Sequence, residues 1–110
     1  MIVITVIKKN QNILTLEATG HSGYAESGKD IVCSAVSTLM QSLLNGLLEV
    51  VKITPKFNID EDLAHMSISV DINEKKMKDI QILMQTTYLA LKSIQQGYHK
   101  FIKIKEMQHD

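Results

Sequence analysis

The chain is predicted to adopt an α/β fold of the α+β type, a two-layer sandwich. In it, a mostly antiparallel five-stranded sheet carries two helices on one face, in the order ββαββαβ. Short β-branched segments with period-two alternation indicate the strands, and two longer segments with apolar residues three and four apart indicate the helices. With 110 residues, 45% of them hydrophobic, the chain is long enough for one core, so we expect a single domain over residues 1–110.

The first two strands are predicted to form an antiparallel hairpin. Residues 2–9 (IVITVIKK) and 13–18 (ILTLEA) flank the turn residues Asn10-Gln11-Asn12. Leu14, Leu16 and Ala18 share one face of the second strand because side chains alternate along a strand.

The first helix is predicted over residues 30–51. Its buried stripe has spacings of three and four and comprises Val32, Val36, Leu39, Leu43, Leu47 and Val50. Four further apolar residues widen the stripe: Met40, Leu44, Leu48 and Val51. We therefore expect this helix to pack on the sheet and also on a second surface, either the other helix or another subunit.

Two more strands are predicted at residues 53–59 and 64–72, where Pro55 indicates an edge strand or a strand start. In the later segment, the residues expected to face the core are Met66, Ile68, Val70 and Ile72. Those expected to face outward are His65, Ser67, Ser69 and Asp71. The second helix is predicted over residues 74–96 with Asn73 as N-cap and Gly97 as its stop, and the last strand over 100–106.

Composition argues against several classes of partner. Lys+Arg and Asp+Glu both number 12, so the net charge is zero and favours neither nucleic acid nor an anionic membrane. The chain has no tryptophan, which makes a base-stacking surface unlikely as its function. The single cysteine fits a reducing compartment, the start MIVITVIKK lacks the order of an export signal, and no apolar stretch is expected to span a bilayer. We therefore expect a cytoplasmic protein.

The segment Gly20–Ser37 (GHSGYAESGKDIVCSAVS) concentrates the reactive residues. It holds three of the five glycines, one of the four histidines and the only cysteine. Cys33 is either a small core residue or a nucleophile. If Asp30 caps the helix, Cys33 is its third residue, where the helix dipole favours a thiolate; if Ser27 is the cap, Cys33 lies deeper and the effect is weaker.

His21 is the candidate partner of Cys33. Glycines at positions 20, 23 and 28 allow the loop to fold back over the helix start, where a Cys–His pair would activate the sulfur. Alone, His21 would be interpreted as a solvated loop histidine. Ser37, one turn after Cys33, either hydrogen-bonds into the site or is a filler hydroxyl. Tyr24 either docks on a helix or covers a bound peptide.

Cofactor and metal chemistry are not expected. The histidines and the cysteine lack zinc-site spacing such as CxxC or HxxxH. The glycine-rich loop matches neither GxGxxG nor GxxxxGK[ST], the two phosphate-binding patterns.

The segment resembles the signature of the ribosomal-processing cysteine protease family, Prp. The resemblance covers about eighteen residues and rests on Gly20-His21, Gly28, Asp30-Ile31-Val32-Cys33 and Ser37. Ser22 departs from it, since alanine is more usual there.

The resemblance implies a bacterial cytoplasmic cysteine endopeptidase that acts as a homodimer without cofactor. Such an enzyme would remove a short N-terminal extension from a large-subunit ribosomal protein, cutting after an aromatic pair. Cys33 would be the nucleophile and His21 the base, while Asp30 would cap the helix or orient the histidine. The substrate-binding or supporting residues would be Gly20, Ser22, Gly23, Tyr24, Gly28, Asp30 and Ser37.

The alternative function is a non-enzymatic, ribosome-associated module whose loop binds a peptide or RNA. The neutral net charge argues against strong RNA binding, because phosphate contacts dominate the affinity of such complexes. We therefore expect no direct nucleic-acid binding.

Overall fold

A computed structural model describes residues 1–26, 29–61 and 64–110. The elements follow the predicted order ββαββαβ: β1 (Ile2–Lys9), β2 (Asn12–Thr19), α1 (Ile31–Asn45), β3 (Lys56–Asp60), β4 (His65–Ser69), α2 (Met77–Gly97) and β5 (Ile102–Gln108). A π-helical segment, Gly46–Val51, continues α1.

The five strands form one mixed sheet in the order β3-β4-β2-β1-β5. All neighbouring strands are antiparallel except β1 and β5, which are parallel. One face of the sheet is buried, including Ile2, Ile4 and Val6 of β1 and Leu16 and Ala18 of β2. This face packs with the buried stripes of both helices into one core, which confirms the predicted two-layer sandwich.

A β-bulge separates the two halves of the β1–β2 hairpin. Ile7 pairs with Thr15 whereas Lys8 pairs with Ile13, so Leu14 is the extra residue. The side-chain amide of Gln81 on α2 pairs with the backbone of Ile13 at this point. It accepts from the Ile13 N–H and donates to the Ile13 carbonyl oxygen, both at 2.8 Å.

The stripe of α1 is buried as predicted except at its end. Val32, Val36, Leu43 and Leu47 are buried, but Val50 is 76% exposed, so its assignment to the core was wrong. The π-helical segment is the physical reason, because its wider turn shifts the angular phase of the residues that follow. The segment ends at Lys52, which has a left-handed φ of +66°.

The same stretch corrects the expectation about membrane-spanning length. Ile31–Val51 comprises 21 residues with a mean hydropathy of 1.5, which by length and composition alone is enough to cross a membrane. In the fold, one face of this stretch forms the core together with the sheet and α2. Such a composition also arises in the core helix of a globular domain.

Three expectations in the second half need correction. Ile72 was expected in the core, but β4 ends at Ser69 and Ile72 is 45% exposed. Asn73 was expected to cap α2, but its N–H binds the side chain of Asp71 at 2.8 Å. That bond forms a tight turn, which delays the helix until Met77; the helix ends at Gly97 as predicted.

The edge strand β3 leaves part of the inner face uncovered. Phe57 and Ile59 pair with Ile68 and Met66 and therefore point to the same side as the core. Both remain open, Phe57 at 46% and Ile59 at 38% exposure. The apolar inner face of β3 consequently lies open to solvent.

Candidate active site

The start of α1 is organised by Asp30. This residue is the N-cap, and its Oδ1 accepts hydrogen bonds from the backbone N–H groups of Val32 and Cys33, each at 3.0 Å. Cys33 is therefore the third residue of the helix, as expected if Asp30 is the cap. Its side chain is half-buried.

The loop before α1 folds back over the helix start, as its glycines allow. Gly20 has a φ of +92°, and a methyl group added there would lie 2.6 Å from the carbonyl oxygen of Met1. The N–H of Gly20 donates to the carbonyl oxygen of Ala64 at 2.9 Å. These constraints turn the chain sharply at the end of β2 and direct the next two residues toward α1.

Ser22 connects this loop to the helix. Its hydroxyl donates to Oδ2 of Asp30, and its backbone N–H donates to Sγ of Cys33 at 3.3 Å. Ser22 is only 3% exposed. The sequence marked Ser22 as a departure from the family signature and gave no sign of this double connection, which depends on the folded loop.

Asp30 is held as a carboxylate. Burial alone would raise the pKa of Asp30, but hydrogen bonds from the Ser22 hydroxyl, from Cys33 and from the backbone of Ala25 outweigh it and lower that pKa. The charged form can accept all of these bonds at once. Asp30 therefore acts as a cap and as an anchor for the loop.

His21 and Cys33 both line the same groove. The imidazole is exposed, and the carbonyl oxygen of His21 accepts from the backbone nitrogen of Met1 at 2.5 Å. Among the described residues no hydrogen bond joins the imidazole to Cys33 or to Asp30. In enzymes without bound substrate such bonds are often long and tighten when the substrate binds.

Tyr24 anchors the far side of the loop. Its ring contacts Tyr98 and Phe101 edge-on, with centroid distances of 5.6 and 5.3 Å. Its N–H donates to the Ser22 hydroxyl at 3.0 Å, and the intervening Gly23 has a φ of +76°. Tyr24 thus docks on the segment between α2 and β5. Gly28, the remaining loop residue of the signature, lies outside the described residues.

A groove of about 690 Å³ extends from Cys33 along α1. One side consists of the polar residues of α1, among them Ser37, which is exposed one turn after Cys33. The opposite side combines an apolar wall, formed by Ile2, Ala18, Ile59, Ala64 and Met66, with the polar residues Asp60, Glu61 and His65. This shape suits an extended peptide with apolar side chains beside the cysteine.

A metal ion has no evident place in the site. Within residues 1–26, 29–61 and 64–110, no group of three or more His, Cys, Asp or Glu side chains could hold one.

The sequence profile of the family Cysteine protease Prp matches residues 1–103. The chain belongs to the Prp family. The ribosomal processing cysteine protease Prp of Staphylococcus aureus (strain Mu50) is 30% identical over 86 residues, which cover 77% of this chain and 78% of that protein. The Prp of Bacillus subtilis (strain 168) is 24% identical over 107 residues, covering 94% of this chain and 96% of that protein.

Solved structures agree with the Prp assignment. The crystal structure of SMU.848 from Streptococcus mutans superposes with a TM-score of 0.87 at 32% identity, covering 99% of this chain and 96% of that one. The S. aureus ribosomal processing protease Prp, crystallised with a covalently linked product peptide, gives a TM-score of 0.85 at 26% identity over 96% of this chain and 99% of that one. This chain is accordingly a cysteine endopeptidase with the Prp fold.

Proposed function

We propose that this protease removes a short N-terminal extension from a large-subunit ribosomal protein in the cytoplasm, cutting after an aromatic pair. The observation that carries the proposal is the groove that starts at Cys33, together with membership of a family whose curated members are named for ribosomal processing. Ile59 and Met66 supply an apolar wall of the kind that aromatic side chains need.

In the proposed mechanism Cys33 is the nucleophile and His21 the base. His21 takes the thiol proton, and the thiolate attacks the scissile carbonyl carbon to give a tetrahedral oxyanion. The imidazolium then protonates the leaving amine as the C–N bond breaks, which leaves a thioester on Cys33. A water molecule, deprotonated by His21, hydrolyses the thioester and releases the new carboxyl terminus.

The oxyanion needs a backbone N–H group that is close to Cys33 and is not already bound to Asp30. The N–H groups of Val32 and Cys33 are engaged by the Asp30 side chain, and that of Ser34 by the Asp30 carbonyl oxygen. The N–H of Ser22, by contrast, already points at Sγ of Cys33. We assign it as an oxyanion donor, because a donor beside the sulfur also lies beside the oxygen of the carbon that the sulfur attacks.

Mass spectrometry of peptide cleavage tests the proposed substrate. The wild-type protein is incubated with a peptide spanning the N-terminus of the ribosomal precursor from the same genome, with the peptide of the mature N-terminus as control. We expect a single cut after the aromatic pair in the precursor peptide and none in the control. Cleavage at unrelated positions, or none in the precursor, would contradict the proposal.

Replacement of the base gives a second, pH-dependent test. His21→Ala should cut the same peptide far more slowly than wild type. Its residual rate should rise toward alkaline pH, because an unassisted thiol ionises near its ordinary pKa of about 8.5. A wild-type rate and pH profile for His21→Ala would remove His21 from the mechanism.

A further inference from the structure

Four side chains of α1 form one row that starts at the cysteine. Cys33, Ser37, Gln41 and Asn45 are each four residues apart, and all four line the groove. Residues at this spacing lie above one another on a helix, about 6 Å apart along its axis. Ser37, Gln41 and Asn45 are exposed to the groove and are polar, although α1 is mostly apolar.

The two amides of this row are joined to each other. Nε2 of Gln41 donates to Oδ1 of Asn45 at 3.1 Å. The carbonyl oxygen of Gln41 then remains an acceptor and the amino group of Asn45 a donor. In the part of the chain that the structure describes, neither of these two groups has another protein partner. The pair is thus pre-ordered and presents one acceptor and one donor.

The spacing of the row fits an extended peptide. In an extended chain the N–H and C=O of one residue point to the same side, and this arrangement repeats every second residue, about 6.6 Å further on. The row repeats about every 6 Å, so successive polar side chains of α1 meet alternate residues of a peptide lying parallel to the helix. The side chains of such a peptide stand at right angles to these backbone groups, so those on one side of the peptide enter the groove.

Another amide in this protein already makes the same kind of contact. Gln81 on α2 accepts from the N–H and donates to the carbonyl oxygen of one extended residue, Ile13, at 2.8 Å each. A helix-borne amide can therefore bind both backbone groups of an adjacent extended segment in this fold.

We propose that Gln41 and Asn45 bind the main chain of the substrate and hold it extended along α1, on one side of the scissile bond. The inference rests on the proposed function, since the substrate peptide is the occupant of the groove. In this arrangement the polar row of α1 fixes the conformation of the peptide, and the apolar residues that line the groove contact its side chains. Gln41 and Asn45 are then substrate-positioning residues outside the chemical step.

The experiment measures peptide affinity in protein carrying Cys33→Ala, which binds without cutting. The probe is the precursor peptide, unmodified and with one backbone nitrogen methylated at a time, because N-methylation removes a single N–H donor. Gln41→Met and Asn45→Leu remove the amides at similar volume on an exposed surface. Gln96→Met, on the exposed end of α2 and away from the groove, is the matched control.

We expect Gln41→Met and Asn45→Leu each to weaken binding by about 3- to 10-fold, the effect of one net hydrogen bond. In the catalytically intact background KM should rise by the same factor, with kcat nearly unchanged. N-methylation at one backbone position should weaken binding to the parent protein, and Gln41→Met should abolish that penalty. Gln96→Met should behave as the parent.

Unchanged affinity in both amide variants, or an N-methyl penalty that Gln41→Met leaves intact, would overturn the inference. If wild-type protein still cuts the unmodified peptide in that experiment, only this inference fails and the proposed function is retained. A peptide that wild type neither binds nor cuts would overturn both.

Discussion

Asp30 joins the two halves of the site through one carboxylate. Oδ1 caps α1 beneath Cys33, and Oδ2 holds the Ser22 hydroxyl of the loop that carries His21. Because Asp30 is buried, these bonds are shielded from water and the loss of one partner leaves the others unsatisfied. The spacing between His21 and Cys33 therefore depends on a residue that takes no part in bond breaking.

We predict that Asp30→Ala lowers the free energy of unfolding by about 2 kcal/mol, the combined effect of a lost cap and a lost side-chain hydrogen bond. The pKa of Asp30 is lowered in the folded state. The carboxylate therefore contributes its full share to the free energy of unfolding above the pKa of an unfolded aspartate, about 3.9, and this share is lost as the pH falls below that pKa. Urea unfolding of both proteins across acidic pH should show the difference shrinking. A difference that grows in acid would contradict this assignment.

Substitution of Gly20 and of Gly23 separates two effects on the loop, the strain of a positive φ and the close contact with Met1. Both have positive φ, +92° and +76°, but only at Gly20 would a methyl group meet another atom, the Met1 carbonyl oxygen. Gly23→Ala should cost about 1 kcal/mol, the strain of the left-handed region alone. Gly20→Ala should cost clearly more and reduce peptide cleavage more. Equal effects in thermal unfolding would show that the contact with Met1 is unimportant.

The position of Cys33 as the third helical residue was predictable because capping residues have a strong sequence preference, and Asp30 at the start of an apolar period satisfies it. The connection made by Ser22 was not predictable. It depends on the loop's folding back onto α1, and no periodicity encodes where a glycine-rich segment will turn.

Two of the contacts that hold the described part of the loop, Gly20–Glu26, are the Ser22–Asp30 bond and the packing of the Tyr24 ring. The aromatic contacts tie the loop to Tyr98 and Phe101, which lie between α2 and β5. The end of α2 is thereby linked to the position of His21, three residues before Tyr24.

Tyr24→Ala should reduce kcat/KM for the precursor peptide by about 10- to 30-fold, because the two edge-on aromatic contacts each stabilise the docked loop by about 1 kcal/mol. Global stability should change little, since Tyr24 is 42% exposed. Tyr24→Phe keeps the ring and is the matched control, with kinetics close to wild type. Kinetics of Tyr24→Ala that equal those of Tyr24→Phe would show that docking has no part in catalysis.

The helices and strands were largely predictable in type and order because their apolar periods are long and consistent. Their details depend on features that a period does not show. The π-helical segment turned Val50 outward, the turn at Asp71 delayed α2 to Met77, and the bulge buried Ile13 and Leu14 together.

The two-layer sandwich followed from the sequence, but the groove did not. Its apolar wall depends on the strand order β3-β4-β2-β1-β5, which places β3 at an edge beyond the helices. Sequence periodicity predicts which face of its strand or helix each residue lies on, but it does not predict which strands are neighbours in the sheet. Of the polar row along α1, the sequence pointed only to Ser37. Gln41 and Asn45 could not be assigned to the groove from the sequence, because the groove forms only when the strands are in place.

We also propose that the protein is a homodimer, formed through the outer surface of the helix layer. A shallow depression between α1 and α2 is lined mainly by apolar and small residues, including Ile31, Leu39 and Ile94. Leu89 of α2 is 63% exposed on the solvent side of the helix layer. An apolar surface of this kind favours association with a second copy.

Light scattering at micromolar concentration should report a dimer for the wild type and a monomer for Leu89→Glu. Met107→Glu is the control, because Met107 is similarly exposed but lies on β5 in the sheet layer. A monomeric wild type would contradict the proposed dimer. Dissociation by Met107→Glu, but not by Leu89→Glu, would place the interface on the sheet.

The most direct test of the mechanism is the rate at which Cys33→Ala cuts the precursor peptide. The change removes one half-buried sulfur, so the protein should fold and bind the peptide. Of the described serines near this position, Ser22 donates its hydroxyl to Asp30 and Ser37 lies one helical turn away. We expect no product above the uncatalysed background under conditions where wild type converts all the peptide. Cleavage by Cys33→Ala at the wild-type rate would contradict the assignment of Cys33 as the nucleophile.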